Sequence, residues 1–143
     1  MHVKQRTLKS PAAAPAIRKT AEERALLAAR TAEDNRGKDI VILDLRQQTT
    51  MFDYFVLVTG TSRRQLHAIS EEIDHVFEDT LGDRRLGIEG YAESRWILLD
   101  YGDVVVHMFD AETRSYYALE DLWAGAKRVP FEPRASETSR PPR

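Results

Sequence analysis

Asp100 and Asp103 bracket one turn, Gly60-Thr-Ser62 leads out of an apolar run, and His107 stands two residues from both Val105 and Phe109. These residues have the types and spacing to do chemistry. Two carboxylates at a turn could hold a divalent cation, but a magnesium site also draws on substrate phosphates, and no phosphate-binding motif accompanies them. Aspartate is also a habitual turn residue, because its side chain accepts backbone N–H groups. Amides at a helix start can cradle an anion. Gly60-Thr-Ser62 lacks the spacing of a P-loop or a dinucleotide fingerprint, and plain helix capping accounts for it. His107 makes no metal-ligand spacing with His2, His67 or His75. No serine stands in a nucleophile elbow, and without cysteine there is no thiolate chemistry and no disulfide. The expectation is a non-enzyme with no cofactor and no metal.

The stretch Trp96-Ile-Leu-Leu-Asp-Tyr-Gly-Asp-Val-Val-Val-His107 reads as a β-hairpin, with Gly102 free to take the positive φ of a tight turn. Side chains alternate between faces along a strand. Ile97 and Leu99 therefore share one face, and Trp96, Leu98 and Asp100 share the other. That second face is either capped by a helix of the same chain or kept for a partner. An indole there makes a strong anchor for binding. Tyr116, Tyr117 and Trp123 read mostly as core packing.

Charge is unevenly spread. Residues 1–19 carry +5, residues 20–126 carry −10 and residues 127–143 carry +3, within a net charge of −2. An acidic body argues against a nucleic-acid reader with a basic groove and suits a basic partner. The basic ends could touch an RNA backbone without sequence selectivity, though solubilising tails are the simpler reading. No apolar run is long enough to span a membrane, and residues 1–19 lack the apolar core of a secretory signal. The default location is the cytoplasm.

The elements that position these residues follow from pattern. Thr20-Ala-Glu-Glu23 has capping-box form and opens a helix ending near Asn35–Gly37, where Gly37 fits a C-terminal cap. Ile40–Leu45 and Tyr54–Thr59 are strands apolar enough to be covered on both faces. Ser62 and Gln65 repeat the capping-box spacing before a helix with Leu66, Ile69, Ile73, Val76 and Phe77 on one side, ending at Leu81-Gly82. Leu86–Tyr91 is a weaker strand; Asp110 caps a last helix with Leu119, Leu122 and Trp123 on one face. The fold class is α/β: a mixed sheet of about five strands with flanking helices. The expected organisation is a disordered basic arm over 1–19, one domain over 20–126 and a disordered Pro/Arg-rich tail over 127–143.

Asp53-Tyr-Phe-Val-Leu-Val-Thr-Gly-Thr-Ser62, Glu89-Gly90, the 96–107 hairpin and Tyr117-Ala-Leu-Glu-Asp-Leu-Trp123 resemble the ribosomal silencing factor (Iojap-related) family, in family order, from about Glu22 to Ala126. The resemblance implies a nucleotidyltransferase-like fold without its catalysis. It also implies binding to the large ribosomal subunit through its fourteenth protein, which blocks joining of the small subunit and lowers translation when nutrients are scarce. Carried onto this chain, the contact residues are Trp96, Leu98, Asp100, Gly102 and Asp103, with Tyr54 and His107 as lesser candidates. Two alternatives stand beside it: a divergent nucleotidyltransferase using Gly60–Ser62 with some of Asp44, Asp100 and Asp103, and a homodimer held through the hairpin face.

Overall fold

The computed structural model describes residues 19–133. The expected arm before Lys19 and the tail beyond Pro133 lie outside the described residues. Helix α1 (Ala21–Asp34) opens on the expected capping box. The Thr20 hydroxyl accepts from the Glu23 amide at 3.1 Å, and the Glu23 carboxylate accepts from the Thr20 amide at 2.9 Å. Its other end is built differently from the expectation. Arg36, not Gly37, takes the left-handed φ of 69°. The amides of Arg36 and Gly37 then donate back to Glu33 and Ala32 at 2.9 and 2.8 Å, a Schellman closure. Gly37 is required by space, since a Cβ there would lie 2.6 Å from Val58 Cγ1.

Six strands form one sheet: β1 (Lys38–Asp44), β2 (Tyr54–Gly60), β3 (Gly87–Glu89), β4 (Trp96–Asp100), β5 (Val104–Asp110) and β6 (Lys127–Arg128). Their order is β3-β4-β5-β2-β1-β6. The central pair, β2 with β5, is parallel, and the other neighbours are antiparallel. Every residue of β2 is buried, as its unbroken apolar run requires.

One face of the sheet is covered by α1 and by helix α2 (Arg63–Val76), which continues through a π-helical turn, Phe77–Leu81, to Gly82 at φ 65°. Ala25, Ala28, Ala29 and Ala32 of α1 are fully buried; side chains this small let the helix lie close to the strands. Leu66, Ile69, Ile73 and Phe77 form the matching stripe on α2 and its extension, over Val56, Val58, Ile97, Leu99 and Val106.

Among the described residues, the opposite face, centred on Leu43, Phe55, Leu57, Val105 and Phe109, receives two short helices, α3 (Ala111–Tyr117) and α4 (Leu119–Leu122). Asp110 caps α3 as expected, accepting from the Thr113 amide at 2.8 Å. The single apolar helical face expected for Leu119, Leu122 and Trp123 is not formed. Ala118 adopts φ 44° and breaks the helix, so Leu119 and Trp123 pack down while Leu122 is 70% exposed.

Two sequence expectations are corrected by the C-terminal segment. The sheet has six strands, not about five, because Lys127 and Arg128 pair with Asp44 and Leu43. The ordered body therefore runs past Ala126. The Val129 amide donates to the Ile42 carbonyl at 2.9 Å, and Arg30 lies 4.4 Å over the Phe131 ring. A composition rich in Pro and Arg concealed two apolar residues, Val129 and Phe131, that pack against the core. No helix among the described residues is long and apolar enough to cross a membrane.

Candidate functional site

The hairpin forms where it was expected. β4 and β5 are joined through Tyr101–Asp103, with the Tyr101 amide donating to the Val104 carbonyl at 2.9 Å and Gly102 at φ 91°. Asp100 acts as a turn residue, its Oδ1 accepting from the Gly102 amide at 2.8 Å. The register sets Trp96 opposite Phe109, Leu98 opposite His107 and Asp100 opposite Val105. Trp96, Leu98 and Asp100 thus point to the sheet face away from α1 and α2, and all three are half-buried.

That face is only thinly covered, and aromatic rings run across it. Tyr116 meets Tyr117 at 4.9 Å between centroids, Tyr117 meets Trp96 at 4.8 Å, and Trp96 meets Phe109 at 5.2 Å. Further along, His107 packs on Phe55 at 4.4 Å, and Phe55 touches Phe52 and Trp123 at 5.3 and 6.1 Å. The indole is therefore neither sealed nor bare; Tyr117 leans on one side of it. Tyr116 and Tyr117 are 79% and 52% exposed, so neither is the core residue that the sequence pattern predicts. The signal was available. Adjacent helical positions lie about 100° apart around the axis, so a short surface helix cannot bury both.

Three predicted contact residues are not presented at this surface. Tyr54 is 2% exposed, faces α1 and aims its hydroxyl at Glu22 at 3.4 Å; a strand buried on both faces offers it no route outward. Asp103 is turned toward α1, where Arg24 grips it at 3.0 Å and Asp83 at 2.8 Å. His107 lies on the expected face but beneath it, 4% exposed, and its Nδ1 accepts from the Trp96 indole N–H at 3.1 Å. Gly102 keeps its turn role, with only Leu86 Cδ1 near a notional Cβ, at 3.5 Å.

Burial pulls the His107 pKa from 6.5 down to about 3, so the folded protein holds it neutral. The unfolded chain protonates it below about pH 6.5. Its contribution to stability is therefore complete above that pH and lost as pH falls toward the folded value. Urea titrations between pH 7 and 5 should show declining stability in the wild type and a flatter profile in His107→Asn. The carboxylates held low by cations, Asp44 by Arg46 and Glu120 by Arg114, act at lower pH and leave that window clear.

The residues named for the enzyme alternative are not brought together. Gly60 ends β2, whereas Asp44 pairs with Tyr54 at the start of β2 and Asp100 with Val105 at the start of β5. Five or six steps along a strand separate the two groups by about 17–20 Å. Each carboxylate is also engaged locally: Asp44 with Arg46 at 2.8 Å, Asp100 with the Gly102 amide and Asp103 with Arg24. Ser62 caps α2, accepting from the Gln65 amide at 3.0 Å, and a Cβ at Gly60 would meet Leu66 Cδ2 at 2.6 Å. Arg114, at the carboxyl ends of β2 and β5, spends its donors on Asp39 O, Thr59 Oγ1 and Glu120 at 2.6, 2.8 and 2.7 Å. It staples the short helices to the sheet.

What the molecule presents is an aromatic surface on an acidic body. The family model described as "Ribosomal silencing factor during starvation" matches residues 18–143. The chain belongs to the ribosomal silencing factor family. The match extends beyond the Glu22–Ala126 span legible in the motifs. A ribosomal silencing factor from Bacillus subtilis strain 168 is 43% identical over 101 residues, covering 70% of this chain and 84% of the relative. A crystal structure of a protein from Chromobacterium violaceum superposes with a TM-score of 0.72 at 35% identity, covering 79% of this chain and 92% of that one. A mouse relative named "Mitochondrial assembly of ribosomal large subunit protein 1" is 34% identical over 89 residues, covering 61% of this chain and 39% of the relative. As a member of the silencing factor family, the chain is assigned to translation regulation at the ribosome.

Proposed function

We propose that this protein binds the large ribosomal subunit through its fourteenth protein and, by its bulk, keeps the small subunit from joining. The observation that carries this reading is the surface around Trp96 and Leu98: half-buried apolar side chains, flanked by exposed Tyr117, on a body of charge −10. Proteins that lie on RNA are mostly basic, so an acidic body speeds encounter with one and favours a docked orientation. The apolar centre then supplies the affinity. Steric exclusion requires occupancy alone and no reacting group. The mouse relative, whose name refers to assembly of a ribosomal large subunit, supports the same particle. Of the contact residues expected from sequence, Trp96, Leu98 and Asp100 remain on the docking face; Tyr116 and Tyr117 join them.

The test is co-sedimentation of the full chain with purified large subunits, followed by light scattering as small subunits are added. Saturable binding and a lower scattering plateau are expected, both weakening as salt rises. Absence of binding at low salt, or joining at the normal level with the factor bound, would overturn the reading.

A further inference from the structure

We propose that His107 is a positioning residue for the docking face, holding the Trp96 indole so that a partner meets its apolar edge and not its N–H. This inference rests on the docking reading and concerns how the same surface is prepared. An indole has one polar atom, and here it is spent inside the molecule, on His107 Nδ1 at 3.1 Å. The acceptor is well protected: His107 is 4% exposed, with the Phe55, Trp96 and Phe109 rings at 4.4, 5.9 and 6.0 Å. Tyr117 at 4.8 Å and Phe109 at 5.2 Å pack against the indole. One hydrogen bond and two rings fix the side chain before any partner arrives, so less ordering is left to binding.

The other ring nitrogen strengthens the case. With Nδ1 accepting, the neutral imidazole carries its proton on Nε2. That atom is buried and has no hydrogen-bond partner among the described residues. A buried donor left unpaired is unfavourable. Leu57 and Leu98, its cross-strand neighbours, would accommodate a leucine without that cost. The part of this histidine that an apolar residue could not replace is Nδ1, and what Nδ1 does is hold Trp96.

The experiment compares wild type, His107→Leu and His107→Asn as full chains. Asparagine places a carbonyl oxygen as many bonds from the backbone as Nδ1, so it can still accept from the indole. Two readouts are taken: the solvent exchange of the Trp96 indole N–H by NMR, and affinity for purified large subunits. His107→Leu should free the N–H and weaken binding about tenfold, the equivalent of one hydrogen bond. His107→Asn should restore both. Should His107→Leu not fold, His107→Gln replaces it, because its carbonyl sits one bond too far out and should behave like leucine. Wild-type affinity in a variant with a freed N–H would overturn the inference. So would equal weakness of the asparagine and leucine proteins, or free exchange of the N–H in the wild type. Failure of the wild type itself to bind removes the docking reading, and this inference with it; the other outcomes remove the inference alone.

Discussion

Leu98→Lys sharply weakens binding to large subunits while the protein stays folded: this is the expected result with the largest effect on function. Leu98 is half-buried on β4 and points to the proposed docking face. The strand beside it places Glu89 directly opposite. In the free protein a lysine there can lay its methylenes on the sheet and bring its ammonium toward that carboxylate. In the complex the same ammonium must be desolvated against a basic partner. Loss of at least about 2 kcal/mol, a factor of thirty, is expected in co-sedimentation, with an unfolding midpoint close to wild type. Trp96→Glu is a poorer probe. It would also remove the ring packed on Phe109 and leave His107 Nδ1 without its donor, so stability and binding would fall together. Normal binding by Leu98→Lys would show that the partner docks elsewhere.

The largest expected effect on stability is Gly90→Ala. Gly90 holds φ 79°, and a Cβ there would lie 1.9 Å from the Trp96 carbonyl oxygen. The loop cannot simply relax. Ser94, itself at φ 62°, donates its amide to Gly90 O at 2.9 Å, and its hydroxyl meets His67 Nε2 at 2.6 Å, which ties the loop to α2. Strain and collision together should cost more than about 3 kcal/mol, read as a lower urea midpoint. Gly82→Ala is the control. Its φ of 65° is similar, but nothing lies within 4 Å of the notional Cβ, so only the left-handed penalty of about 1–2 kcal/mol should appear. Equal losses at the two glycines would show that the Trp96 carbonyl yields easily.

What could be foreseen was what local pattern controls. Thr20 and Ser62 announced two helix starts because a cap involves residues three apart, and the hairpin followed from alternation around one glycine. The shared face of Trp96, Leu98 and Asp100 followed from the period of a strand. Distant partners were invisible. Nothing near Asp103 in the chain shows that Arg24 would claim it, and nothing near Tyr54 shows that α1 would cover it. Arg36 takes the left-handed position, and Gly37 is required instead by the closeness of Val58 and Ala32, neither of which its neighbours in the chain reveal. Aromatic character alone predicts burial for Tyr116 and Tyr117, but the helix carrying them is too short to bury both. Lys127 and Arg128 joined the sheet through backbone hydrogen bonds, which side-chain composition does not report.

The parallel pairing of β2 with β5 bears on how the protein is made. Its two strands are as remote in the chain as Tyr54 and Val104, and each is the inner neighbour that completes the other's hydrogen bonding. As the polypeptide leaves the exit tunnel, β2 has β1 alone beside it until the second half is synthesised. An apolar ribbon with one bare edge waits in the meantime, and contacts of such long range form slowly. A factor that acts on ribosomes thus closes its own centre only near the end of its translation.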